Sequence, residues 1–225
     1  MPLKRAVLPL LDRADALVTE VGAANTVLLA DGSRAGYNTD VPGMVTALAQ
    51  AGVGLDGPVL ILGSGATACS ALLALSRAGA DAVTVAVRDP ATAGPFLAVA
   101  SSCGVQVRLV AFGPGEDRRE WLGQHRAGGQ PWRLVLSTVP GAAADDYAGL
   151  LSAGDLRADA VFDVLYDPWP TGIAAAAEAA GAVVINGFEL LLHQAAGQFA
   201  LMTGAAAPVE AMRVAGLAVL SGRAG

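Results

Sequence analysis

Residues 57–76 read GPVLILGSGATACSALLALS, and this stretch decides the fold. Val59, Leu60, Ile61 and Leu62 form a short apolar run of the kind that a parallel sheet buries on both faces. Gly63-Ser64-Gly65 follows at once as a tight turn. The twenty residues carry no charge and are long enough to raise a transmembrane reading, but the two glycines break a membrane helix at its middle. The pattern Gly63-x-Gly65-x-x-Ala68, ending a strand and opening a helix, is instead that of a nucleotide-binding turn. Absent side chains let the backbone N–H groups of Gly63, Ser64, Gly65 and Ala66 approach a pyrophosphate at the positive end of the helix.

Working outward, strand and helix alternate. Thr67–Arg77 reads as a helix, Val83–Val87 as the next strand, Asp89-Pro90 as the start of a further helix, and Val105–Val110 as a third strand. A polar, Gly-containing excursion covers 115–130. Strands at Leu134–Thr138, Ala160–Val164 and Ala182–Ile185 follow, with a helix at Ile173–Ala180 between the last two. The order predicts an α/β fold, a doubly wound parallel Rossmann sheet. Before it, residues 4–18 have helical spacing through Val7, Leu10, Leu11 and Leu17, Thr26–Leu29 reads as a strand ending at an Asp31-Gly32 turn, and Val41–Leu48 as a helix. After it come two helices, Phe188–Thr203 and Val209–Leu220, divided by Gly204 and Pro208. The expected divisions are 1–39 and 187–225, which return to one lobe, and 40–186, the nucleotide-binding domain.

The second strand should end beside an adenosine ribose, where an acidic side chain favours the 2′-hydroxyl of NAD and an arginine the 2′-phosphate of NADP. Val87-Arg88-Asp89 stands there. Arg88 favours NADP(H) as a planar, permanently charged donor, while Asp89 either repels that phosphate or caps the helix after Pro90. A solvated strand-end arginine is the plainer alternative.

The totals exclude other classes. With 54% hydrophobic and 15% charged residues the chain can bury a core. Fourteen basic against twenty acidic residues, with no basic stripe, argue against nucleic acid. Cys69 and Cys103 have no metal-binding spacing, so no metal site and no disulfide framework is expected. Pro9, Asp12 and Asp15 interrupt the apolar patch of the opening residues before a signal-peptide core forms, so a cytoplasmic protein without a membrane span is expected. A homodimer is admitted but not specified.

Local chemistry marks further candidates. Asp40 stands at a loop-to-helix junction, where an aspartate is most often an N-cap. Gln194 and Gln198, four apart on one helical face, can turn two amides toward a common pocket, or bind neighbouring backbone. His193 faces about 100 degrees away from Gln194 and is read as structural. His125 is read as a surface residue, and Trp121 and Trp132 show no cofactor pattern. Thr138 and Val139 end a strand where the crevice of such a sheet lies, or simply turn the chain.

Seven stretches resemble shikimate dehydrogenases, in order and at suitable spacing: MPLK (1–4), GAANTV (22–27), NTDVPG (38–43), GSGATA (63–68), LSTVPG (136–141), VFDVLYDPWPT (161–171) and NGFELLLHQAAGQF (186–199). That resemblance, strongest to actinobacterial members, implies NADP-dependent, reversible reduction of 3-dehydroshikimate to shikimate. It implies Lys4 and Asp40 as the catalytic pair at the reacting hydroxyl, Asn25 and Gln194 as substrate hydrogen-bonding groups, Tyr166 as a substrate-side tyrosine and Gly187 as a glycine near the nicotinamide. On residues alone Lys4 has a plainer reading as a surface terminal lysine, and Tyr166 one as a ring packed beside Trp169.

The family ordinarily has a βαβ-type portion ahead of the M-P-x-K segment, with serines that hold the substrate carboxylate. Met1 falls within that motif, so the substrate-binding lobe made from the N- and C-terminal segments is expected to be incomplete, with exposed sheet edges. Either the start codon is assigned too late, or the chain is a truncated paralogue that binds NADP(H), is weak or inactive as a catalyst, and acts through association. A quinate-type polyol dehydrogenase and a methylenetetrahydrofolate dehydrogenase are the remaining alternatives.

Overall fold

The computed structural model describes residues 3–112 and 130–223. The polar stretch read at 115–130, with Trp121 and His125, lies outside the described residues apart from Gln130. Six parallel strands make the larger sheet: β4 (Val59–Leu62), β5 (Ala82–Val87), β6 (Gln106–Ala111), β7 (Leu134–Ser137), β8 (Ala160–Asp163) and β9 (Val183–Asn186). Their spatial order is β6-β5-β4-β7-β8-β9. Counted from β4, that is 3-2-1-4-5-6, the doubly wound order of dinucleotide-binding sheets.

Burial on both faces explains the apolar runs. Val59 and Ile61 point into one core with Phe96, Leu72 and Leu48, while Leu60 and Leu62 point into the other with Tyr147, Leu151 and Ile173. The helices that cover the faces are α3 (Asp40–Gln50), α4 (Ala66–Arg77) and α5 (Gly94–Cys103) on the first, and α6 (Gly141–Ser152) and α7 (Gly172–Ala179) on the second. Because β4 lies between β5 and β7, the chain runs away from β4 in opposite directions, and a crevice opens past its carboxyl end. The expected membrane-length run is thereby split: β4, the glycine turn, then α4. No helix among the described residues is long and apolar enough to cross a membrane.

The smaller sheet differs from expectation. Residues 4–18 do not form one helix but a single turn α1 (Leu3–Ala6), a 3-10 turn at Leu8–Leu10, a two-residue strand β1 (Arg13–Ala14) and α2 (Ala16–Val21). Pro9 has no N–H for a continuing helix, and Asp15 starts a new one by accepting from the Val18 N–H at 2.7 Å. β2 (Thr26–Ala30) forms a hairpin with β3 (Ser33–Tyr37), a strand absent from the sequence reading, and β1 adds to β3 in parallel. The turn between them has positive φ at both Asp31 and Gly32, as the right-handed strand twist favours. Gly36 hides β3 from pattern reading for a reason: a Cβ there would lie 2.3 Å from Leu11 Cδ1.

The chain closes with α8 (Gly187–Thr203) and α9 (Val209–Arg223). α8 lies close on α3 because both carry small residues at the crossing. A Cβ on Gly43 would meet the Gln194 nitrogen at 3.0 Å, and one on Gly197 would meet Thr39 Cγ2 at 3.2 Å.

Candidate active site

The amino end of α3 organises the site. Asn38, 1% exposed, accepts the Asp40 N–H at 3.1 Å and the Val41 N–H at 3.3 Å through Oδ1. Its amide donates to the Ala23 carbonyl at 3.0 Å and to Ser70 Oγ on α4 at 3.2 Å. Asn38 therefore does the capping that the local reading assigned to Asp40. The Asp40 carboxylate is released from that work and turns to side chains from other elements, although it is 4% exposed.

One Asp40 oxygen pairs with Lys4 Nζ, and the other accepts from Asn25 Nδ2 at 2.9 Å. Lys4 is held in place despite its position near the amino end: α1 carries it, and its carbonyl accepts the Ala24 N–H at 2.9 Å. Asn25 is a hub. Its amide also reaches Thr39 Oγ1 at 2.8 Å and Gln194 Oε1 at 3.1 Å, while its Oδ1 accepts from the Thr26 hydroxyl and the Thr39 N–H. Gln198 donates to Thr26 Oγ1 at 3.0 Å and lies 3.3 Å from Gln194 Oε1. With its oxygen so used, Gln194 keeps its Nε2 donor without a partner among the described residues.

These groups form one wall of a cavity of about 590 Å³. Lys4, Asn25, Asp40, Gln194 and Gln198 supply its polar end, and Gly65, Ala66 and Thr67 the start of α4. Thr138, Val139 and Pro140 after β7, Val164, Leu165 and Tyr166 after β8, and Gly187, Leu190 and Leu191 on α8 close the rest. The polar groups thus stand at the crevice of the larger sheet, where charges are strengthened by apolar walls.

The glycine turn fits a dinucleotide. A Cβ on Gly63, whose φ is +93°, would meet Thr138 Oγ1 at 2.9 Å and Val139 Cγ1 at 3.0 Å. Gly65 has open space in front of it and begins α4 with no side-chain cap, so the free N–H groups face the cavity side. Gly63 and Ser64 lie in the turn behind this wall and do not line the cavity. Arg88 is exposed at the end of β5, next to β4, and makes no ion pair with another described residue. Thr138 lines the cavity, but its hydroxyl donates to the Leu62 carbonyl at 2.8 Å, which fastens β7 to β4.

Gly187 is the most constrained glycine in the site. Its N–H donates to the Leu165 carbonyl at 3.2 Å, and a Cβ would lie 2.3 Å from the Val164 carbonyl oxygen. Tyr166, 36% exposed, stands on the same loop. His193 lies outside the cavity wall, bonded to Gln50 Oε1 at 2.9 Å. Burial lowers its pKa, Glu189 opposes that shift and the Arg213 charge adds to it. Among the described residues no group of three or more His, Cys, Asp or Glu gathers to hold a metal ion.

Asn38, Thr39 and Thr26 in the polar network, and Leu165, Leu190 and Leu191 in the apolar wall, are site residues that the sequence reading did not single out. The signal for Asn38 is the preference of asparagine for helix starts, two positions before a run with helical spacing. For the two threonines, no pattern in the sequence carries one.

A doubly wound sheet with a glycine turn, opening onto a part-buried lysine–aspartate pair carried by α1 and the start of α3, defines a nucleotide-dependent oxidoreductase type of cleft. Residues 187–215 match the family model for the shikimate 5'-dehydrogenase C-terminal domain. The chain is 39% identical over 220 residues to the shikimate dehydrogenase (NADP(+)) of Citrifermentans bemidjiense, covering 96% of this chain and 73% of that protein. It superposes on the shikimate dehydrogenase of Mycobacterium tuberculosis with a TM-score of 0.80 at 36% identity, covering 96% of this chain and 76% of that one. The corresponding values for the Thermus thermophilus shikimate 5-dehydrogenase, solved in complex with NADP(H) and shikimate, are 0.72 and 32%, with 94% and 74% covered. The chain belongs to the shikimate dehydrogenase family, and spans about three quarters of the length of these relatives.

Proposed function

We propose that the chain catalyses the reversible, NADP-dependent reduction of 3-dehydroshikimate to shikimate. The observation that carries this reading is the Lys4–Asp40 pair, tied to Asn25 and Gln194, in the wall of the same cavity as the start of α4. Names of relatives support the cofactor and the substrate.

When bound, NADPH supplies a hydride. Everything else falls to the chain. The free N–H groups at Gly65 and Ala66 hold the pyrophosphate, with Gly63 keeping the turn tight. Arg88 binds the 2′-phosphate as a charge-assisted donor. Val139 and Gly187 shape the nicotinamide side, where the bare Cα of Gly187 lets the Val164–Leu165 backbone pack against the start of α8. Residues 1–39 and 187–225 form the substrate side around 40–186.

A carbonyl that accepts hydride must also gain a proton, and the reverse reaction must remove one. Lys4 holds that proton at Nζ beside the reacting oxygen. Asp40 aims the ammonium through their ion pair, and Asn25 fixes Asp40 by its second oxygen. Gln194 offers its unused Nε2 to a substrate hydroxyl, and Tyr166 bounds the ring from the opposite wall. The apolar side chains of Leu190 and Leu191 exclude water from the transfer.

Purified protein with shikimate and NADP is expected to produce NADPH absorbance at 340 nm. Binding of NADPH without turnover of shikimate contradicts the reading. Arg88→Ala is expected to weaken NADP binding about 30-fold, as loss of a charge-assisted hydrogen bond implies, and to leave NAD binding unchanged. Calorimetric titration with each cofactor checks this, and equal losses for both would remove Arg88 from the 2′-phosphate.

A further inference from the structure

Asp163 is 0% exposed at the carboxyl end of β8, and the chemistry above does not use it. Its surroundings work against a charge: burial pushes the carboxyl above the usual carboxylate range. An apolar side chain would fill the same space without that penalty. The reason for a carboxyl lies in its two oxygens. Oδ2 accepts the Thr171 hydroxyl at 2.6 Å, and Oδ1 accepts the Leu165 N–H at 3.2 Å. Thr171 Oγ1 in turn accepts the Ala174 N–H at 3.2 Å and so caps α7.

The two donors stand at opposite ends of the loop 164–170. An amide in place of the carboxyl would turn an NH2 toward one of two N–H or O–H donors, so only a side chain with two acceptors serves both. Val164, Leu165 and Tyr166 of this loop line the cavity, and Gly187 lies against its carbonyls. With one end tied to Asp163 and the other capping α7 while bonded to the same carboxyl, the loop has a fixed span.

We propose that Asp163 is a positioning residue, whose two oxygens hold the ends of the 164–170 loop together so that Tyr166 stands against the substrate. This rests on the reading of Tyr166 as a substrate-side residue. Loss of the brace frees Tyr166 to leave the wall without disturbing the glycine turn, so the effect falls on the substrate and spares the cofactor.

The test is a double-mutant cycle on the full chain with steady-state kinetics and hydrogen exchange. Asp163→Ala is expected to raise the KM for shikimate about tenfold, to lower kcat less than threefold and to leave the NADPH Kd within twofold. Tyr166→Phe is expected to raise that KM about fivefold. The double variant should resemble one single variant, because both changes remove one contact. Exchange in peptide 164–171 should rise at least fivefold in Asp163→Ala, with the α8 peptide unchanged, whatever the activity. If Asp163→Ala does not fold, Thr171→Val carries the same expectations and Thr171→Ser restores the parent values.

Multiplying KM effects in the double variant, or unchanged exchange in 164–171, overturns the brace. A Tyr166→Phe variant with the parent KM removes Tyr166 from the substrate, and the proposal with it. If none of the proteins turns over shikimate, the proposed function fails, and the exchange result alone then decides whether Asp163 ties the loop.

Discussion

Asp40→Asn is expected to lower kcat about a thousandfold, within the range that a positioned acid–base group contributes. The carboxylate serves two donors at once, Lys4 Nζ and Asn25 Nδ2. An asparagine keeps one oxygen and presents an NH2 to the other donor, so either the ammonium or the amide faces a donor at a position that is only 4% exposed. Lys4, whose side chain is 16% exposed, then loses its counter-charge and its aim together. Lys4→Ala should lower kcat as strongly by removing the proton carrier. The two losses should not add: Lys4→Ala with Asp40→Asn is expected to be no slower than the worse single variant, as for groups that act as a unit. Single-turnover hydride transfer on the purified variants checks this, with NADPH affinity as control, since neither residue belongs to the glycine turn. Additive losses would separate the pair into two independent effects.

Gly187→Ala is expected to cost about 3 kcal/mol of stability, the upper end for an inserted group with nowhere to go. The new Cβ would lie 2.3 and 2.4 Å from the carbonyl oxygen and carbon of Val164 and 2.5 Å from the Leu165 oxygen. These are backbone atoms, so the strain cannot be relieved by a rotamer change. For a chain of this size the melting temperature should fall by roughly 10 °C, and the affinity for substrate and cofactor should fall with it, because the loop and the start of α8 both line the cavity. Gly65→Ala is the contrast. Its Cβ would meet nothing within 4 Å, so thermal melting should change little while NADP affinity drops, the methyl group filling the space a pyrophosphate needs. Equal melting temperatures for both variants would contradict the account of Gly187.

The larger sheet was legible because its central strands are buried on both faces: Val59–Leu62 is an unbroken apolar run and Leu134–Leu136 another, while the edge strands β6 and β9 are only partly covered. The covering helix α6 was missed: its first half, GAAADD, offers no large apolar residue, and Tyr147, Leu150 and Leu151, which join Ala144 on the buried face, all fall in its second half. The first forty residues misled for the opposite reason. Val7, Leu10, Leu11 and Leu17 share a helical period by chance: the first three lie in or beside the 3-10 turn and Leu17 in α2, and Leu10 is 55% exposed. The hairpin partner β3 has the sequence SRAGY, whose glycine and arginine conceal a strand that pairs along its whole length.

The Lys4–Asp40 centre of the site was legible only through family resemblance, whereas the glycine turn and the shared face of Gln194 and Gln198 were legible from local pattern. Lys4, Asn25, Asp40 and Gln194 lie 21, 15 and 154 positions apart in the chain, and no local period relates them. On local chemistry Asp40 is a cap; it escapes that role because Asn38, two positions earlier, takes the helix N–H groups first. Such competition between neighbouring side chains is settled by the packing of Asn38 between α4 and the loop before β2, which a one-dimensional reading does not contain.

In the proposed reaction Lys4 and Asp40 meet the reacting oxygen of a substrate whose hydride partner is held over the glycine turn. A crystal structure of the chain with NADP and shikimate tests it most directly. The expected result has the pyrophosphate on the Gly65 and Ala66 N–H groups and one shikimate hydroxyl within about 3 Å of Lys4 Nζ, the reach of a charge-assisted hydrogen bond. A cofactor bound away from the start of α4, or a shikimate ring that leaves the Lys4–Asp40 pair untouched, would contradict it.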